Sequence, residues 1–153
     1  MKVSDLLNSG NVFHNLEADS KDELVKTMIH ALSEQLGKEN TMRATRAVME
    51  RESIMSTGVG KGLGIPHAKI NGIDRNFAVF ARLKKPLDYG SIDDQKVNLV
   101  FLLIGPDGQS STHIKLLSRI SRLMNNDHFR SAILSAGSAE EILEIYSKEE
   151  SGM

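Results

Sequence analysis

Val97-Asn-Leu-Val-Phe-Leu-Leu-Ile104 is the longest apolar run in the chain, and it decides how the rest is read. Eight residues of this kind, closed by Gly105-Pro106-Asp107-Gly108, have the length and the flanking turn chemistry of a fully buried strand. They are far too few to span a bilayer. Working back from it, Phe77-Ala-Val-Phe-Ala-Arg-Leu83 is a second run rich in strand formers. Two buried strands in the middle of a chain need helices to cover them.

The flanks supply those helices. Ser20-Lys-Asp-Glu23 is a capping box, in which the two polar side chains satisfy backbone N–H groups at a helix start. Leu24, Val25, Met28, Ile29, Leu32 and Leu36 follow at helical spacing, with Gly37 as the stop. A second helix is expected from about Thr41 to Arg51. After the strands, Ile114, Leu117, Ile120, Leu123 and Met124 mark a helix beginning near Ser111. Asp127 is expected to cap a short helix, and Ser138-Ala-Glu-Glu141 opens the last one. The fold class is therefore α/β, with a single-domain mixed sheet flanked by helices over 1–153. The polar residues 148–153 are expected to fray.

Composition narrows the function. The chain has 153 residues, 40% hydrophobic and 25% charged, a formal net charge of -1, and 5% aromatics. That balance gives no global attraction to nucleic acid or to an acidic membrane, and no basic stripe interleaved with aromatics occurs. The absence of cysteine removes disulfides, thiolate nucleophiles and Cys-ligated metal sites. The N-terminus lacks a long apolar run behind a basic start, so the expected location is cytoplasmic, with no direct membrane insertion.

The chemistry concentrates in Ser56-Thr-Gly-Val-Gly-Lys-Gly-Leu-Gly-Ile-Pro-His67, where Gly58, Gly60, Gly62 and Gly64 alternate with other residues. Such a run is a loop or a narrow strand along which backbone approaches something closely. A P-loop fails because Lys61 is followed by Gly62. A dinucleotide fingerprint fails because Leu63 or Ile65 stands where its last glycine belongs. Pro66 restrains the backbone entering His67, and glycine amides suit a phosphoryl group on that imidazole. His67 is thus a candidate nucleophile, or else a turn histidine without a role.

Two partners are open in the same way. His113 falls in a first helical turn, where N–H groups and the dipole favour an anion. It and His67 would flank one phosphoryl group or ligate a metal, although no His-x₃-His or carboxylate cluster completes a metal site. Arg51 precedes the glycine run, either as a fork for phosphate oxygens or as a helix C-terminal cation. His14, His30 and His128 read as surface or packing residues.

These residues also carry a resemblance. Arg51 through Ala68, with FAVFARLKKPLDYGSIDDQKVNLVFLL and His113-Ile-Lys-Leu-Leu, resembles the type 2 (fructose/mannitol) IIA domains of the bacterial phosphoenolpyruvate-dependent sugar phosphotransferase system, over nearly the whole chain. The resemblance implies a mixed sheet flanked by helices and a phosphorylated His67, with Arg51 and His113 beside it. Thr57 matches the small hydroxyl position of the loop. Gly64 stands where many relatives carry Ala, and Lys61 where several carry Asn.

It also implies a phosphocarrier that needs neither cofactor nor metal. The donor would be phospho-HPr or its nitrogen-branch counterpart. The acceptor would be a IIB protein in sugar uptake or, in the nitrogen-regulatory branch, regulated partner proteins. Pro86-Leu-Asp-Tyr and Ile92-Asp-Asp-Gln95 look more like the nitrogen type, and a chain without fused IIB or IIC parts permits both. A phosphate-independent binding module on the same fold is the rival from another class.

Overall fold

A computed structural model describes residues 2–54 and 56–153. Met1 and Met55, the latter inside the stretch that carries the resemblance, lie outside the described residues. Among the described residues the strands are β1 (Val12–Leu16), β2 (Gly58–Gly60), β3 (Leu63–Gly64), β4 (His67–Ile70), β5 (Phe77–Leu87) and β6 (Val97–Pro106). The helices are α1 (Lys21–His30), α2 (Ser33–Leu36), α3 (Lys38–Ile54), α4 (Ser110–Met124), α5 (Asp127–Ser135) and α6 (Ala139–Ser151). A short 3₁₀ turn, Val3–Leu6, precedes β1.

The strands form one mixed sheet in the order β1-β5-β6-β3-β2, with β4 also on β6. β5 and β6 are antiparallel at its centre, and β1 runs parallel to β5. β3 and β4 lie in line along the same edge of β6, both parallel to it. Leu63 is opposite Leu99 and His67 opposite Leu103, so the register is unbroken across Ile65-Pro66. Pro66 has no N–H to give the ladder, but its carbonyl still accepts from Leu103 N–H at 3.0 Å.

Side-chain alternation splits the core in two. Phe80, Leu99, Phe101 and Leu103 face α4, α5 and α6, where Tyr146 meets Phe80 and Phe129 edge-on with ring centroids 5.3 and 4.9 Å apart. Val79, Ala81, Val100 and Leu102 face α1, α2 and α3. Period two on β4 sends His67 and Lys69 to the α4 side and Ala68 and Ile70 to the other.

Several local expectations change. The helix expected from Ser20 to Gly37 is two helices, since Ala31 and Leu32 donate to carbonyls of the preceding turn and α2 restarts at Ser33. α3 is longer than expected at both ends. Asn126, not Asp127, caps α5, its side-chain Oδ1 accepting from Phe129 N–H at 3.0 Å. Gly105 and Pro106 belong to β6 and do not form the turn after it.

At the C-terminal end, where fraying is expected from Lys148, α6 runs to Ser151 and Glu150 is buried. Its carboxylate accepts from the N–H groups of Val3 and Ser4 at 2.7 and 2.6 Å and from Arg119 Nε at 2.8 Å. Burial pushes this carboxyl up. The Ser4 amide, Arg119 and the Val3 amide outweigh that and hold it below the ordinary 4.5.

Candidate active site

His67 opens β4, and its ring is oriented by its own backbone. Nδ1 lies 2.7 Å from the carbonyl oxygen of Ile65. A carbonyl only accepts, so Nδ1 carries the proton and the neutral ring keeps its lone pair on Nε2. The strand period puts Ile65 and His67, two residues apart, on the same face.

His113 arrives from the other side. The turn Asp107-Gly108-Gln109 follows β6 directly into α4, so the fourth helical residue falls back over the sheet. The two imidazole centroids are 5.7 Å apart with the rings tilted by 49°. His113 is buried, and burial first, then His67 and Lys69, push it from 6.5 down to about 4. It is neutral at pH 7. Its Nδ1 is enclosed over Gly105 without a hydrogen-bond partner, which leaves Nε2 as the ring nitrogen available to the site.

Lys69, two residues along β4 from His67, reaches Ser110 Oγ at 2.7 Å and so brings an ammonium to the start of α4. Arg51 is exposed on the last turn of α3, the helix that packs on β4.

Thr57 lies inside the fold. It is buried, and its hydroxyl and amide N–H both donate to the carboxylate of Glu52, the amide at 3.3 Å. Tyr89 OH also donates to this carboxylate, at 3.1 Å, as does Lys21 Nζ, at 3.0 Å. Burial and Glu52 push the Tyr89 phenol up, so it remains a donor. The Thr57 hydroxyl is thus engaged inward, on Glu52.

The glycines likewise do structural work. β2 and β3 form a hairpin in which Gly58 opposes Gly64. Its turn places Gly60 and Gly62 at φ 95° and 77°, which glycine tolerates without strain, with Lys61 between them at φ 58°. Gly58 lies against Ser91, and a Cβ on Gly64 would stand 3.2 Å from Cζ of Tyr89. The chain here is a strand pressed onto a tyrosine, with the Gly58 amide donating to Ser56 Oγ at 3.0 Å and the Ile65 amide to the Thr57 carbonyl at 3.0 Å.

Sequence reading missed Glu52, Tyr89, Asn76 and Gly105. Asn76 Oδ1 and His113 Nδ1 are both buried and unpartnered on either side of Gly105. The one available signal was Glu52 directly after Arg51, and a charged residue on a charged helix reads as solvated. His14, His30 and His128 are exposed.

Residues 5–149 match the family described as phosphoenolpyruvate-dependent sugar phosphotransferase system, EIIA 2. The chain belongs to this family. Among its EIIA relatives, a "PTS system fructose-specific EIIABC component" of Bacillus subtilis (strain 168) is 36% identical over 95% of this chain, which spans 23% of that longer protein. A "Nitrogen regulatory protein" of Bradyrhizobium diazoefficiens is 32% identical over 95% of this chain and 94% of its own length. The crystal structure of nitrogen regulatory protein IIA-Ntr from Neisseria meningitidis superposes with a TM-score of 0.88 at 24% identity, covering 94% of this chain and 98% of that one. As an EIIA protein the chain is a phosphotransfer component with the mixed α/β fold of its relatives. Among the described residues, no helix is long and apolar enough to cross a membrane.

Proposed function

We propose that this EIIA protein is a phosphohistidine carrier in which Nε2 of His67 takes the phosphoryl group. The observation that carries the reading is the contact of Nδ1 with the Ile65 carbonyl, which leaves Nε2 as the nucleophile. The lone pair of Nε2 attacks phosphorus as the bond from phosphorus to the donor imidazole breaks. No proton leaves His67, so positive charge develops on its ring, and the Ile65 carbonyl oxygen lies where it stabilises that charge. Such transfer is mainly alignment and charge stabilisation. Neutral His113 offers a hydrogen-bonding nitrogen, and Lys69 and the exposed Arg51 supply cations for the phosphoryl oxygens.

The donor in this reading is phospho-HPr or its nitrogen-branch counterpart, acting in the cytoplasm. Nitrogen regulation is supported by relatives of that name that match over nearly their full length. Transfer to a IIB protein in sugar uptake is the second reading, supported by the 36% identity to a fructose-specific protein.

The test is incubation with phosphoenolpyruvate, enzyme I and either donor, followed by intact mass under alkaline conditions. One acid-labile phosphate on the wild type and none on His67→Ala is the expected result. No label from either donor on folded protein would favour a phosphate-independent binding module.

A further inference from the structure

The cluster under the hairpin raises a physical question. The Glu52 carboxylate is buried 31 residues from Lys21 and 37 from Tyr89 in sequence, and four donors converge on it. Burying an ion pair seldom adds stability over apolar packing of the same volume. What a carboxylate offers that a leucine does not is directional hold on particular donors.

The direction of that hold can be followed bond by bond. Glu52 accepts from both the N–H and the hydroxyl of Thr57. The Thr57 carbonyl accepts from Ile65 N–H at 3.0 Å. The Ile65 carbonyl accepts from His67 Nδ1 at 2.7 Å. The chain thus runs from a buried anion, through the backbone of two residues, Thr57 and Ile65, to the imidazole proton. Between Thr57 and Ile65 lie four glycines, a segment with little side chain to hold its own shape. Tyr89 closes the arrangement, bonded to Glu52 through its hydroxyl and pressed against Gly64 through its ring.

We propose that Glu52 is a positioning residue for His67, acting through Thr57 and the Ile65 carbonyl to hold the ring in its Nδ1–H tautomer. The inference rests on the phosphocarrier reading for its functional consequence, but the tautomer itself is a property of the unphosphorylated protein. Releasing Thr57 frees the Ile65 peptide to tilt, and the imidazole then loses the acceptor that selects which nitrogen is bare. A misplacement of this kind lowers transfer roughly tenfold to a hundredfold.

The experiment is ¹⁵N NMR of histidine-labelled protein, unphosphorylated, alongside phosphotransfer rates. The wild type should show His67 as the Nδ1–H tautomer. Glu52→Gln and Thr57→Val should mix the tautomers and slow transfer, while Thr57→Ser, which keeps the hydroxyl, should restore both. Glu150→Gln, on the opposite face of the sheet, should lower the melting temperature and leave the His67 tautomer unchanged, which separates positioning from general loss of stability. Should Glu52→Gln fail to fold, Thr57→Val decides. A wild-type tautomer and wild-type rate in Thr57→Val, or a tautomer change in Glu150→Gln equal to that in Thr57→Val, would overturn the inference. A wild type that accepts no phosphate would strike the carrier reading alone, since the tautomer comparison needs none.

Discussion

The imidazole of His113 rests on Gly105, with Nδ1 2.7 Å from the point a Cβ on that residue would occupy. Asn76 Oδ1 lies 2.8 Å from the same point. Two side chains therefore share space that only glycine leaves open. His113 lies near His67 because strand β6 has no side chain at this row.

Gly105→Ala should accordingly displace His113, Asn76 or both. Overpacking of this kind costs about 1–3 kcal/mol, measured by urea unfolding. Phosphotransfer should slow while labelling remains at His67. An alanine variant with wild-type stability and rate would show that the row has slack.

His113 should stay neutral down to acidic pH. Its ring resonances should titrate near pH 4, because burial, His67 and Lys69 all oppose the charged form. The unfolded chain protonates this histidine near 6.5. Between those values the unfolded state binds more protons, so this residue's contribution to stability falls as pH drops from 6.5 toward 4. A titration centred near 6.5 in the folded protein would contradict the burial argument.

Glu150 should behave as an acid-sensitive clamp between the two ends of the chain. Its folded pKa is depressed, so its contribution is complete above 4.5 and disappears as pH falls through the lower folded value. Glu150→Ala leaves Arg119 and two amides without their acceptor and should cost about 3 kcal/mol at pH 7. Hydrogen exchange should show the Val3–Leu6 turn opening in that variant.

Tyr146 carries a buried hydroxyl with no hydrogen-bond partner among the described residues. Burial, with Glu150 behind it, pushes this phenol far up, so it stays neutral throughout. Tyr146→Phe keeps the edge-on ring contacts and removes an unsatisfied group. Thermal unfolding should show no loss, or a gain of up to about 1 kcal/mol.

What was legible in the residues follows from how each element is stabilised. β5 and β6 are buried on both faces, so they read as apolar runs. β1 and β4 did not announce themselves. Val12-Phe-His-Asn-Leu16 and His67-Ala-Lys-Ile70 are short and half exposed, and β4 carries His67 and Lys69 where a core strand has valine or isoleucine. The split between α1 and α2 was invisible because Leu32 and Leu36 keep the helical period across it. The nearness of His67 and His113 was expected only by chemistry and resemblance, since 46 residues of chain separate them and β-sheet register brings them together. Thr57 was placed by the resemblance alone, as the small hydroxyl position of the loop. Only the buried carboxylate of Glu52, whose burial no local pattern signals, turns it inward.

NMR of the phosphorylated protein, with ¹⁵N-histidine and phosphorus detection, should place the phosphoryl group on Nε2 of His67, with Nδ1 still protonated and bonded to the Ile65 carbonyl. Phosphate on Nδ1 of His67, on His113 or on any other residue would contradict the account.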